Sequence, residues 1–213
     1  MKDGNTIVRG IYMDLCAVVL CGGQSSRMGT NKSLLQISNY RVVEKIVSEL
    51  KKLTNHVVLI ANDEKPYEYL KVPIYKDRYN DAGPLAGIES AMYHVDAERF
   101  IFAACDMPFV NKHLYEYLLT YAGDYEAIVP KYNGQVHPLA SIYSRNCLPV
   151  IKEKLDAGDY RVRSFFDDIQ LKFVTLFPNI DEEVVKYHFF NMNTPVEYEE
   201  AKKIAEELLK QQH

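Results

Sequence analysis

The chain has 213 residues, 25 Lys and Arg against 29 Asp and Glu, a formal net charge of −4 and 47% hydrophobic residues. That length suits one large α/β domain with a full core, and the mildly acidic balance excludes a general nucleic-acid or membrane surface, so any anionic ligand must be held by local cations. The four cysteines show no CxxC or metal-ligand spacing, which predicts reduced, mostly buried thiols; with no apolar leader and no run near the roughly 18 apolar residues of a bilayer span, the expected location is cytoplasmic.

Residues 1 to 13 are polar and mixed and read as a loose extension ahead of a single domain over 14 to 213. Leu15 to Leu20 is an apolar strand that stops at paired glycines and gives way to two cations, in Leu20-Cys21-Gly22-Gly23-Gln24-Ser25-Ser26-Arg27-Met28-Gly29-Thr30-Asn31-Lys32. Without a Cβ, Gly22, Gly23 and Gly29 can take positive φ and let backbone N–H groups converge on phosphate oxygens, while Arg27 and Lys32 supply full charge. The lysine does not directly follow Gly29, so this is no Walker A loop, and no GxGxxG is present.

Tyr40 to Leu53 carries Val43, Val47 and Leu50 on one face and predicts an amphipathic helix; His56 to Ala61 predicts a buried strand. Leu85 to Val95 predicts a second helix, and Phe100 to Ala104 a strand ending at Cys105-Asp106-Met107-Pro108. Asn111 caps a third helix with Leu114, Tyr117, Leu118 and Tyr121. This alternation predicts a three-layer α/β/α, Rossmann-like fold with a mostly parallel central sheet. Ligands of such folds bind beyond the carboxyl ends of the strands, which places Gly22, Asn62, Asp77 and Asp106 on one rim. In the second half Ala127 to Pro130, Leu139 to Tyr143 and Leu171 to Leu176 are strand candidates of either direction. Pro195 starts a long final helix with Tyr198, Ala201, Ala205 and Leu208 inward.

Asp106 follows an apolar strand and is pinned by Pro108, and one carboxylate together with a bound triphosphate suffices for Mg2+. The amide of Asn62 offers a donor and an acceptor to a purine edge, or forms an Asx turn. Arg161 and Arg163 follow Gly158-Asp159-Tyr160 and either clasp an acceptor phosphate or form a solvated helix start. His137 is equally a general base or a loop-stabilising side chain.

The first loop closely resembles the signature of the molybdenum cofactor guanylyltransferases, within the nucleotidyltransferase superfamily. The Asp106-Met107-Pro108 triplet, the Gly83-Pro84-Leu85-Ala86-Gly87 run, Gly134-Gln135-Val136-His137-Pro138-Leu139 and Asn191-Met192-Asn193-Thr194-Pro195 resemble further motifs of that family. The resemblance covers residues 14 to 200. It implies a Mg2+-dependent nucleotidyltransferase that moves GMP from GTP to the terminal phosphate of molybdopterin already carrying molybdenum, and that works beside other molybdenum cofactor proteins. It implies Leu20, Cys21, Gly22, Gly23, Lys32, Asn62, Asp77 and Asp106 at GTP, with Asp81 as a rival to Asp77. Arg27, Lys32 and Asp106 would be catalytic, with Asp106 on the metal, and His137, Arg161, Arg163, Asn191 and Asn193 would serve the acceptor. Donor and acceptor residues would thus divide between the two halves of the chain. A neutral Asn193 favours this branch over nucleotide-sugar enzymes. The alternatives are a cytidylyl- or sugar-phosphate transferase, or a non-catalytic GTP-binding handover protein.

Overall fold

The computed structural model describes residues 14–22 and 31–210, so the expectations for residues 1–13, Gly23, Arg27 and Gly29 lie outside the described residues. In chain order come β1 (Leu15–Leu20), a 3-10 turn (Lys32–Leu34), β2 (Gln36–Ile37), β3 (Tyr40–Arg41), α1 (Val42–Leu50), β4 (Val57–Ile60), a 3-10 helix (Lys65–Leu70), β5 (Ile74–Tyr75), α2 (Gly83–His94), β6 (Arg99–Ala104) and α3 (Lys112–Leu119). The second half adds β7 (Ala127–Tyr132), β8 (Gln135–Val136), β9 (Ile142–Ser144), α4 (Leu148–Asp156), a 3-10 helix (Val162–Asp168), β10 (Leu171–Val174), α5 (Glu182–His188) and α6 (Pro195–Lys210).

β1 is buried along its whole length, and its alternating side chains feed two cores. Leu15, Ala17 and Val19 join α1, α3 and α6 on one face, whereas Cys16, Val18 and Leu20 join α2 and α4 on the other. This is the three-layer arrangement expected, and it explains why the strand reads as a continuous apolar run rather than an alternating one. Cys16, Cys21, Cys105 and Cys147 are all free thiols.

The main sheet runs β10-β7-β9-β6-β1-β4-β5, with β8 paired to β7. β1 is parallel to both β4 and β6, β5 to β4 and β10 to β7, while β9 is antiparallel to β6 and β7. The sheet is therefore mostly parallel, as expected. The antiparallel β9 has a consequence for the site: its amino end, not its carboxyl end, lies level with the ends of β1 and β6. The segment 137–141 thereby reaches the same rim, and Phe102 N donates to Ser141 O at 2.9 Å.

Several expected bounds shift for local reasons. The first helix begins at Val42 rather than Tyr40 because Tyr40 and Arg41 pair with β2 and the Glu44 carboxylate accepts from Arg41 N at 2.7 Å. The strand expected over 139–143 starts only at Ile142; before it the chain turns, with Ala140 N donating to His137 O. Gly134 and Asn133 hold φ of 76° and 47° and close a tight two-residue hairpin between β7 and β8. Asn111 caps α3 as expected, accepting from His113 N at 2.9 Å.

Candidate active site

A cavity of about 430 Å³ opens at the carboxyl ends of the central strands, lined among others by Leu20, Gly22, Asn62, Asp77, Gly87 and Asp106. Four of these follow four strands in turn: Gly22 follows β1, Asn62 β4, Asp77 β5 and Asp106 β6. The structure thus gathers the expected rim residues at the crevice where the strand order reverses. Leu139 reaches the cavity from the turn before β9, Asp81 from the loop before α2 and Gly83 from the first position of α2.

Asn62 and Asp77 hold each other. Asp77 N donates to Asn62 Oδ1 at 3.0 Å, and Asn62 Nδ2 donates to Asp77 Oδ2 at 3.2 Å. Asp77 Oδ1 is buried and has no hydrogen-bond partner among the described residues. Behind it Arg78 N donates to Ser90 Oγ at 2.8 Å, and the Arg78 guanidinium pairs with the fully buried Glu89 of α2 at 2.5 Å. A Cβ on Gly87 would meet Leu20 Cδ2 at 3.0 Å and Asp77 Oδ1 at 3.4 Å, so glycine lets α2 pass beside the carboxylate without displacing the Leu20 side chain. The glycine expectation is corrected at Gly22, which does not adopt positive φ. A Cβ there would stand 3.6 Å from Asp77 Oδ2, so its absence keeps the approach to the carboxylate open.

Lys32 opens the 3-10 turn, and its Nζ donates to Asn193 Oδ1 at 2.8 Å. The division of expected donor and acceptor residues between the chain's halves is therefore crossed at the rim. Met192 N donates to the Asp106 carbonyl at 2.8 Å, which docks the segment before α6 onto the loop after β6. Glu197 sits close by, accepting from Asn193 N at 2.7 Å and from Thr194 N at 2.8 Å while Glu197 N returns a bond to Thr194 Oγ1. This is a capping box, and the Thr194-Pro195-Val196-Glu197 spacing carries its signal.

Of the remaining expected residues, Cys21 turns away from the cavity into the core beneath α1. Arg163 Nη2 lies 3.4 Å from Val136 O, next to His137, whose ring centroid is 4.4 Å from that of Phe189 and whose Nε2 is buried without a partner. Burial lowers the His137 pKa, so the ring is neutral near pH 7. Arg161 is not brought to the cavity lining. It forms a bidentate pair with Asp159 at 2.8 and 2.5 Å, which holds that carboxyl down to about 2. Asn191 Nδ2 reaches the Phe189 carbonyl. Glu89, paired with Arg78, and Glu197, bonded to Asn193 N, add to the residues expected at the site.

Among the described residues no three of His, Cys, Asp and Glu gather into a ready-made metal cluster. Asp106 is a half-buried carboxylate on the cavity wall, and a single such oxygen donor suits a hard cation whose remaining ligands are phosphates and water.

Burial pushes the pKa of both Asp77 and Asp106 above the ordinary 3.8; Asn62 opposes the shift at the first, Lys32 at the second. A carboxyl raised in the folded state binds its proton more tightly there than in the unfolded chain. These two positions therefore give up stability as pH rises through the interval from 3.8 to their folded pKa values. A carboxyl-carbon NMR titration of the ligand-free protein should show both above 3.8, with Lys32→Ala moving Asp106 further up and leaving Asp77 in place. A downward move of Asp106 in that variant would contradict the assigned cause.

The model of the MobA-like NTP transferase domain matches residues 17–173. A protein of Carboxydothermus hydrogenoformans named "probable molybdenum cofactor guanylyltransferase" is 33% identical over 192 residues, covering 90% of this chain and 96% of the relative. One of the same name from Clostridium perfringens is 34% identical over 187 residues, covering 86% and 94%. The crystal structure of molybdopterin-guanine dinucleotide biosynthesis protein A from Archaeoglobus fulgidus shares the fold at a TM-score of 0.78 and 24% identity, covering 90% and 99%. The CTP complex of CMP:2-keto-3-deoxy-manno-octonic acid synthetase shares it at 0.70 and 13%, covering 94% and 100%. By the family model and by its relatives, this chain belongs to the MobA-like NTP transferase family.

Proposed function

We propose that this protein transfers GMP from GTP to the terminal phosphate of molybdopterin, releasing pyrophosphate and forming the guanine dinucleotide of the molybdenum cofactor, with residues 14–213 as one catalytic domain. The names of its relatives support the reaction. The observation that carries the choice of base is the buried, unpartnered Oδ1 of Asp77 in the cavity wall. Guanine alone among the common bases presents two adjacent donors, N1–H and the 2-amino group, on one edge. A carboxylate braced by Asn62 is the acceptor for that pair.

Asp77→Asn tests this reading. An amide offers one acceptor and one donor, which suits N1–H beside a 2-oxo group, so the variant should bind GTP roughly tenfold to 10²-fold more weakly and prefer XTP. Titration of both nucleotides by calorimetry measures it, and an undiminished preference for GTP would sink the base assignment.

In the reaction an oxygen of the acceptor phosphate attacks the α-phosphorus, the bond to the β-phosphate oxygen breaks, and that electron pair leaves with pyrophosphate. The acceptor oxygen is already anionic, so the protein needs no strong base; it positions and neutralises. Gly22 and Leu20 shape the approach, and Lys32 offsets charge gathering on the leaving group. Mg2+, held by Asp106 together with the phosphates, would supply further charge neutralisation. Asn193 orients Lys32, and His137 with Arg163 lies toward the acceptor side. No helix among the described residues is long and apolar enough to cross a membrane.

A further inference from the structure

The residues on either side of Lys32 meet at one hydroxyl group. Tyr67, from the 3-10 helix Lys65–Leu70, is 2% exposed, and its hydroxyl accepts from Asn31 Nδ2 at 2.8 Å and lies 2.7 Å from Ser33 Oγ. Ser33 is itself fully buried, and its Oγ donates to Asn31 Oδ1 at 2.7 Å. With that proton spent, Ser33 Oγ must accept the proton of Tyr67, and Tyr67 keeps one lone pair over. Burial pushes the phenol up to about 12, so it stays protonated at any working pH. Every polar atom of the cluster is thus satisfied, and the residues on either side of Lys32, Asn31 and Ser33, are each tied to Tyr67.

We propose that Tyr67 is a positioning residue for Lys32: its hydroxyl, bonded to both sequence neighbours of the lysine, fixes the backbone from which the Nζ charge is aimed at the nucleotide phosphates. The inference rests on the role given above to Lys32. A charge worth having in a transition state must be held in place before the reaction, because reorganising it during the reaction forfeits its effect. Asn193 restrains the tip of the side chain, and the turn's own bonds, among them Leu35 N to Lys32 O at 3.2 Å, close the backbone at its root. Tyr67 ties that turn to a second element of the fold, from a position outside the cavity lining.

Tyr67→Phe removes one oxygen and keeps the buried ring. Turnover of the full chain with GTP, Mg2+ and molybdopterin should fall on the order of tenfold, while the GTP dissociation constant changes within about threefold, since the lost preorganisation counts most where charge develops. In a Lys32→Ala background the same substitution should change turnover by less than about twofold, because a group that acts only through Lys32 has nothing left to act on. Ser33→Ala, which cuts the same cluster from its other side, serves as the second variant should Tyr67→Phe fail to fold, with the same expected pattern. Equal slowing by Tyr67→Phe in both backgrounds, or none in either while Lys32→Ala alone is slow, overturns the positioning role. Normal turnover of Lys32→Ala itself overturns the reading of Lys32, and the proposal with it.

Discussion

Lys32→Ala is expected to lower turnover by about 10²-fold or more while the ligand-free protein keeps its fold, the scale for losing one preorganised electrostatic contact. A factor of 100 corresponds to about 2.7 kcal/mol of activation free energy. The structural loss is smaller: the variant gives up the bond from Nζ to Asn193 Oδ1, a net contribution of about 1 kcal/mol. Because the 3-10 turn is held by Asn31 and Ser33, the backbone does not depend on the lysine side chain. Steady-state kinetics beside a melting curve separate the two effects, and a well-folded variant with near-normal turnover removes Lys32 from the mechanism.

Asp106→Asn is expected to remove Mg2+-dependent turnover, by about 10²- to 10³-fold, and to leave the ligand-free melting temperature unchanged or raised. The sign follows from burial. The folded protein resists ionisation of Asp106, so at neutral pH the charged carboxylate costs stability relative to the unfolded chain, and a neutral amide of the same shape relieves that cost. On the role proposed for Asp106, function and stability pull opposite ways at this position. Asp81 is the control, since it lines the same cavity and holds φ of 55°, a conformation asparagine tolerates. If Asp81→Asn abolishes the metal dependence and Asp106→Asn does not, the metal ligand has been misassigned.

The first half of the site was legible because a parallel strand buried on both faces writes itself as an unbroken apolar run, and the polar residue that ends the run marks the rim. Leu20 to Gly22, Ile60 to Asn62 and Ala104 to Asp106 all read this way. The second half lacks that signature. β9 is short and antiparallel, and α4 opens with Pro149, which reads as a breaker until its place in the first turn is seen. The Asn133-Gly134 pair carried a clear hairpin signal that the motif resemblance overshadowed. Pairings between distant residues were out of reach in principle: nothing local ties Glu89 to Arg78, Tyr67 to Asn31 or Lys32 to Asn193, because each depends on which elements the fold brings side by side. Arg161 shows the converse, a cation that looked available in sequence and is occupied by a neighbour two residues away.

The bond between Lys32 and Asn193 spans 161 residues of sequence, and the capping box of α6 begins at the very next position. On the role proposed for Lys32, nucleotide binding and the folding of the carboxyl-terminal helix are linked equilibria. Whatever free energy a docked α6 lends to nucleotide binding through Asn193, a bound nucleotide lends back to α6 in equal measure. The last turns of the chain, remote from the phosphates in sequence, become part of the ligand's own binding isotherm.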